Sequence, residues 1–362
     1  MHQSNFKYGD SFEKVLFIAP NYKLRKGGIA SVLKLYNIEL NGGFNFSPSI
    51  YFQNIVLSTI LFPINILELS LKLLVLRRIR IVHIHGSHGG SFYRKFLIFL
   101  IVKSVFKKKV IYHLHSSDFK IFYKNASKRI KQKIAYLMSR ADVIIVLSGE
   151  WKDYILSKFE PQKIKVLENI VEKQADDIVS LKNNQKTNLL FLGRIGKRKG
   201  VYDLIESINS INDSVKHNIS LTIGGDGEVE KLKKLIKDLN LDNVNFVGWV
   251  KGAEKINLLK NTDVFVLPSY NEGLPISLLE AMSFGKPIIS TNVGGIPRIL
   301  KNEINGFVIE PGNKAQLQEA ILKYVNHSQL IKKQGQEGLK IVEKYYPERV
   351  LEKLSAIYGE VL

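Results

Sequence analysis

This chain of 362 residues predicts an α/β fold of two doubly wound parallel sheets, and three observations carry the prediction. Short apolar runs alternate with longer helical stretches, as parallel strands do when helices cover both faces of their sheet. The alternation comes in two series, separated at 172–187 by residues that are polar, charged and poor in large apolar groups. The length also exceeds what one hydrophobic core ordinarily organises, so two domains are expected.

In the first series the expected strands are 14–19, 79–85, 109–115, 143–147 and 163–167. In the second they are 188–192, 219–223, 244–247, 264–267, 287–290 and 306–309. Each is short, rich in Val, Ile, Leu and Phe, and followed by a loop holding Gly or polar residues. After Gly312 the chain reads as helix to its end, interrupted at Tyr345-Tyr346-Pro347. The expected boundaries are thus 1–171 and 172–346, with a last helix at 347–362. Ligands of doubly wound sheets bind beyond the carboxyl ends of the strands, so chemistry is expected in the loops after these runs.

The formal charge is +20, distributed unevenly. Residues 1–170 hold 27 Lys+Arg against 10 Asp+Glu, a surplus of 17, whereas 171–362 hold 26 against 23, a surplus of 3. Such asymmetry implies an anionic partner for the first half: nucleic acid, a membrane surface or a phosphorylated acceptor. The chain has no Cys, so a disulfide framework and a thiolate nucleophile are both excluded. The beginning of the sequence lacks the charged, apolar and small-residue succession of a signal peptide. The stretch 55–76 is mostly apolar but contains Pro63, Asn65, Glu68 and Lys72, with Arg77, Arg78 and Arg80 beyond. Like 96–109, which ends in Lys107-Lys108-Lys109, it reads as a helix packed on a sheet or lying at an interface, with core packing expected for most of its apolar residues.

The most informative segment is Ser269-Tyr-Asn-Glu-Gly-Leu-Pro-Ile-Ser-Leu-Leu-Glu-Ala-Met282. A strand runs into a loop carrying Glu272, and Gly273-Leu274-Pro275 opens a helix, with Pro expected at its first position. Glu280 follows within the first turns, leaning back toward the helix N-terminus. Helix N-termini attract phosphate and carboxylates accept from sugar hydroxyls, so the combination suits a nucleotide sugar. Arg194 and Lys199 lie in a loop with Gly193, Gly196 and Gly200, where backbone can approach a diphosphate and two cations can offset its charge. Lys197 and Arg198 read as solvated. Gly27-Gly28 repeats the glycine-loop logic after the first strand. No Asp-x-Asp of the metal-dependent kind occurs. Five of the eight histidines crowd two strand ends, His83, His85 and His88 in one and His113 and His115 in the other. Zinc is weighed for them, but no Cys and only Asp118 stand nearby, and no metal is assigned.

Together, Phe191-Leu-Gly-Arg-Ile-Gly-Lys-Arg-Lys-Gly200, Gly224-Gly-Asp-Gly-Glu228, Phe246-Val-Gly248, the Glu pair and Gly285-Lys-Pro-Ile-Ile-Ser-Thr-Asn-Val-Gly-Gly-Ile-Pro297 resemble the retaining glycosyltransferases of family 4 in order and spacing. The resemblance implies the GT-B fold, two Rossmann-like domains facing a central cleft, with the last helix returned to the N-terminal domain. It also implies metal-independent transfer of a sugar from a nucleotide diphosphate sugar, commonly a UDP-sugar, to a glycan or polyprenyl-diphosphate-linked acceptor. Arg194 and Lys199 would bind the donor diphosphate with Gly27 and Gly28, Glu272 would approach the donor sugar beside Gly273 and Leu274, and Glu280 would take the ribose hydroxyls. His115 matches the family's strand-end histidine better than the deeper His113; His85 and Ser87 are acceptor-side candidates, with a core histidine satisfied by backbone as the equal alternative for His85, and Asn169 resembles the family's interdomain Asn. The family usually has Glu after Pro297 where this chain has Arg298, so no role is assigned there. No cofactor is expected beyond the sugar nucleotide, and the expected place is cytoplasmic, at the inner face of the plasma membrane, on an anionic surface. The rival readings are a nucleotide-sugar epimerase of the same fold and a basic nucleic-acid-binding protein. The latter lacks any recognisable binding signature, and neither a complete dinucleotide fingerprint nor a P-loop is present.

Overall fold

The computed structural model describes residues 11–24, 27–52, 54–174 and 186–362, and most of the polar stretch at 172–187 lies outside them. The chain divides into two compact units, Met1–Ile170 with Tyr345–Leu362, and Val171–Lys344.

The first unit holds β1 (Val15–Pro20), β2 (Asn45–Ile50), β3 (Ile81–Gly86), β4 (Lys109–Leu114), β5 (Val143–Val146) and β6 (Ile164–Val166), in the order β2-β1-β3-β4-β5-β6. Every neighbouring pair is parallel. Successive side chains of a strand point to opposite faces, and here both faces are covered. On one, Leu16, Ile18, Val82, Ile84 and Val110 pack with Leu69 and Leu73 of α3 (Phe62–Val75) and Phe92 and Phe99 of α4 (Gly90–Ser104). On the other, Phe17 meets Tyr36 of α1 (Gly28–Glu39), and the buried His83 bonds Tyr358 of the C-terminal helix Pro347–Gly359. Each such apolar side chain removed from water contributes about 1.5–3 kcal/mol before ordering costs.

Two features depart from the sequence expectations. The strand β2 has no counterpart among the expected ones, because Asn45-Phe-Ser-Pro-Ser-Ile50 carries Pro48; it lies at the sheet edge, where a missing N–H donor is tolerated. The stretch 55–76 is only partly core. Helix α2 (Ile55–Ile60) precedes α3, and Ile64, Leu67, Leu71, Leu74 and Val75 of α3 are exposed. No helix among the described residues is long and apolar enough to cross a membrane.

The second unit repeats the winding with β7 (Thr187–Leu192), β8 (Ile219–Gly224), β9 (Val244–Gly248), β10 (Val264–Leu267), β11 (Ile288–Thr291) and β12 (Gly306–Ile309). The order is β12-β11-β10-β7-β8-β9, again all parallel. In each sheet the strand order reverses once, between β1 and β3 and between β7 and β10. Those reversals open the crevices where doubly wound sheets take ligands.

Candidate active site

In the second unit the loops leaving β7 and β10 meet at the reversal. Beyond β7 the chain makes a single 3-10 turn, Lys197–Lys199, then enters the helix Val201–Asn209 through Gly200. Gly200 has φ +70, and a Cβ there would stand 1.9 Å from the Pro268 carbonyl oxygen, so only glycine lets this loop lie against the one after β10. Arg198 ties the two together: its guanidinium donates to the Asn271 carbonyl at 3.0 Å, and its own carbonyl accepts from the Tyr270 N–H at 2.8 Å. Arg198 is therefore not the solvated cation expected, whereas Lys197 is exposed.

The Lys199 ammonium reaches Glu272 Oε1 at 2.5 Å, with both side chains largely buried, and Ser269 Oγ donates to the same oxygen at 2.7 Å. Gly294 closes over this carboxylate's backbone: at φ +58, a Cβ on it would come 1.9 Å from the Glu272 carbonyl oxygen. Its neighbour Gly295 donates its N–H to the Gly273 carbonyl at 2.5 Å. Pro275 is the N-cap of the helix Ile276–Ser283, one position before the first helical residue where it was expected, because its ψ of 121° is still extended. Leu274 is buried beside it. Glu280, four residues into that helix, pairs with Lys255 at 2.5 Å. Arg194 stands exposed, with no ion pair among the described residues.

Each carboxylate of the Glu pair thus has its own ammonium, and one unpaired guanidinium is left over. These five groups sum to +1, so a diphosphate that takes over the cations meets most of its charge there and frees the carboxylates to accept hydroxyls. Lys255 and Ser269 went unforeseen; both are ordinary residues whose partners only the fold supplies.

In the first unit, Gly27 caps α1 and its carbonyl accepts from the Ser31 N–H at 3.1 Å. Gly28 is the first residue of that helix. The histidines form a stack. His83 and His85 lie 4.5 Å apart between ring centroids, and His113 and His115 4.0 Å apart. His83 Nδ1 meets the Tyr358 hydroxyl at 2.6 Å and its Nε2 meets His113 Nδ1 at 3.3 Å, while His85 Nδ1 meets His115 Nε2 at 2.8 Å. Burial, reinforced by His115, pushes His83 down to about 3; burial, reinforced by Lys95, does the same for His115, to about 3. Burial and the neighbouring rings hold His85 and His113 well below the usual imidazole range. The rings are therefore neutral near pH 7.

Nitrogens of His83, His85 and His113 lie within 4.8 Å of one another. A metal there would compete with Tyr358 and His113 for His83, whose two ring nitrogens are both engaged. Ser87 sits beyond β3, its Oγ 3.5 Å from His88 Nδ1, which in turn meets Ser116 Oγ at 2.5 Å. Asn169 is buried.

Comparison with known proteins gives this arrangement a family. Residues 47–174 match the family described as Glycosyltransferase Family 4, and residues 172–340 match Glycosyl transferases group 1. An uncharacterized glycosyltransferase of Methanocaldococcus jannaschii is 31% identical over 294 residues, covering 75% of this chain and 71% of its own. The UDP-Gal:alpha-D-GlcNAc-diphosphoundecaprenol alpha-1,3-galactosyltransferase of Escherichia coli is 29% identical over 258 residues, 66% of this chain and 64% of its own. HepE of Anabaena, solved in complex with UDP-glucose, superposes with a TM-score of 0.75 at 18% identity, over 96% of this chain and 99% of that one, and shares the fold. Two parallel sheets of Rossmann type, the ordered glycine loops and these matches make the chain a member of the family 4 glycosyltransferases, with the GT-B fold.

Proposed function

We propose that this glycosyltransferase moves a sugar from a UDP-sugar to a glycan or polyprenyl-diphosphate-linked acceptor in surface polysaccharide assembly, with retention of configuration and without a metal. The observation that carries the reading is the charge arrangement at the β7/β10 reversal: Lys199 paired with the buried Glu272, and Arg194, in the same loop as Lys199, exposed and without an ion pair among the described residues. An arriving diphosphate draws the two cations, and Glu272, released from Lys199, accepts hydroxyls of the donor sugar. Glu280 takes the ribose hydroxyls, exchanging its bond to Lys255. As the glycosidic bond breaks, negative charge grows on the leaving diphosphate, where Arg194 and Lys199 stabilise it; fixed cations of this kind are what a metal would otherwise supply. The acceptor hydroxyl attacks from the face that the diphosphate leaves, and its proton passes to the leaving diphosphate oxygen as the new glycosidic bond forms.

The relative named for transfer from UDP-Gal to a diphosphoundecaprenol-linked sugar supports both the donor class and the acceptor class. Roles for Gly27, Gly28, His115, His85 and Ser87 rest on the family resemblance. The surplus of 17 positive charges over residues 1–170 supports a cytoplasmic enzyme held at an anionic membrane surface. Family membership favours transfer over epimerisation and over nucleic-acid binding.

The test is to incubate the protein with a panel of UDP- and GDP-sugars and a lipid-linked acceptor, in EDTA and in manganese. Release of UDP with a new glycosidic bond of the donor's anomeric configuration is expected, at similar rates in both buffers. A new sugar nucleotide formed without acceptor would establish the epimerase instead.

A further inference from the structure

The geometry points to a specific lipid-docking surface: we propose that the outer face of α2 and α3 inserts among the acyl chains of an anionic bilayer. The inference rests on the reading of a membrane-bound acceptor, and gives that membrane a place on the molecule.

A helix on the surface of a globular protein turns its apolar stripe to the core and its charges to water. Helix α3 does the reverse with its outward face. Leu69 and Leu73 reach the core, yet Ile64, Leu67, Leu71, Leu74 and Val75 are 57%, 60%, 52%, 62% and 75% exposed. At helical spacing these five share one stripe on the order of 100° wide. Ile60, the last residue of α2, is 67% exposed just ahead of it. The charged residues that could have solvated this face are engaged along its flank. Glu68 accepts from the Tyr51 hydroxyl and from Lys72 Nζ, and Lys72 also donates to the Phe46 carbonyl at 2.8 Å. The outer face is left without a charged side chain. A continuous apolar ridge of this kind marks an interaction surface.

Charge selects the occupant. The ridge runs out into Arg77, Arg78 and Arg80, all exposed. Lys109 lies beside them, its N–H donating to the Arg80 carbonyl at 3.1 Å, with Lys107 exposed just before it. Arg78 has Glu13 at 3.6 Å and Lys109 has Asp142 at 3.3 Å; Arg77, Arg80 and Lys107 have no acid partner among the described residues. A second copy would bring another half-chain with a surplus of 17 positive charges against this one. An anionic bilayer offers acyl chains to the ridge and headgroups to the cations, the pairing that holds amphipathic helices in an interface.

The sequence contains no Cys, so a single thiol reports cleanly. Leu71→Cys carrying an environment-sensitive fluorophore should shift to the blue on vesicles of phosphatidylglycerol and phosphatidylcholine, while the same label at Lys323→Cys, in the second unit, should not. The fourfold variant Ile64→Gln, Leu67→Gln, Leu71→Gln, Leu74→Gln changes exposed positions only. Its vesicle affinity should fall on the order of a hundredfold, even at low salt, with hydrolysis of the sugar nucleotide unchanged. Neutralising Lys107, Lys108 and Lys109 should remove only part of the binding, the salt-sensitive part. Equal vesicle binding by the fourfold variant would overturn the proposal, as would a wild-type dimer that this variant converts to monomer. Because donor hydrolysis is read separately, failure of the docking surface leaves the glycosyltransfer reading standing, and failure of hydrolysis in the wild type would strike that reading alone.

Discussion

The two units share a winding but arrange charge in opposite ways. In the second, opposite charges are drawn inward to the strand-order reversal, where Lys199 and Glu272 are paired out of water. In the first, the corresponding ends of β3 and β4 hold closely spaced neutral imidazoles with the buried Lys95 acting on them, while Arg77, Arg78, Arg80, Lys107 and Lys109 lie exposed. The difference teaches that a basic half need not have a basic site. The proposed diphosphate site sits in the half whose net charge is close to balanced, where internal pairing holds Lys199 against Glu272.

The largest expected effect breaks that pairing. Lys199→Ala leaves Glu272 buried with Ser269 as its one remaining side-chain partner among the described residues, and removing one member of a buried ion pair costs about 3–5 kcal/mol. The variant should therefore unfold at markedly lower denaturant concentration as well as lose transfer. Lys199→Ala combined with Glu272→Gln should recover most of the stability and none of the activity. A Lys199→Ala protein as stable as wild type would show that the pair is not buried in solution.

Arg194 sharpens the comparison, because it is exposed and has no ion pair among the described residues. Arg194→Ala should leave the unfolding midpoint within experimental scatter and lower turnover about a hundredfold, the scale of losing one fixed charge on a developing anion. Normal turnover in this variant would remove Arg194 from the diphosphate.

These residues also show what the sequence made legible. The second series of strands stood out because parallel strands covered on both faces are unbroken apolar runs, and Arg194 and Lys199 stood out because glycines punctuate their loop. Lys255 did not, since nothing local links it to Glu280, 25 positions away. The edge strand β2 hid behind Pro48. The apolar stretch 55–76 was legible as helix but not as to which of its faces is buried, because composition counts leucines without saying what lies opposite them. The spacing of His83, His85, His113 and His115 placed them at strand ends; their stacking depends on the β3/β4 register, in which His85 lies opposite His113.

The histidines extend the comparison to acid. In the folded first unit His83 and His115 sit at about 3, and His85 and His113 well below their usual value, whereas the unfolded chain protonates all four near 6.5. Their contribution to stability is therefore complete above about pH 6.5 and is lost as pH falls from there toward 3. Each fully buried ring can steepen the loss by up to about 1.4 kcal/mol per pH unit. Urea midpoints between pH 6.5 and 5, above the range where carboxylates titrate, should decline for the transition that reports the first unit, and His113→Asn should flatten the slope by about one proton. A flat wild-type profile in that window would mean that the rings are solvated.

The smallest expected effect concerns how the chain's end is held to the first unit. The Tyr358 hydroxyl lies 2.6 Å from His83 Nδ1, and His83 Nε2 faces His113 Nδ1 at 3.3 Å, so the hydroxyl and the two rings form one hydrogen-bonded chain. Tyr358→Phe removes that hydrogen-bond partner but keeps the ring, whose edge contacts with Phe12 and Phe17 at 5.3 and 6.3 Å do not involve the oxygen. The helix Pro347–Gly359 also keeps Leu351 and Leu354 buried, and Lys163 and Lys165 still clasp Glu360 at 2.5 and 2.8 Å. The cost should accordingly be that of one buried hydrogen bond, about 1–2 kcal/mol, and appear as faster amide exchange in this helix with little change in the second unit. Wholesale loss of protection across the helix would mean that the hydroxyl, and not the apolar face, fastens it. If exchange is unaltered, the bond between Tyr358 and His83 contributes nothing measurable in water.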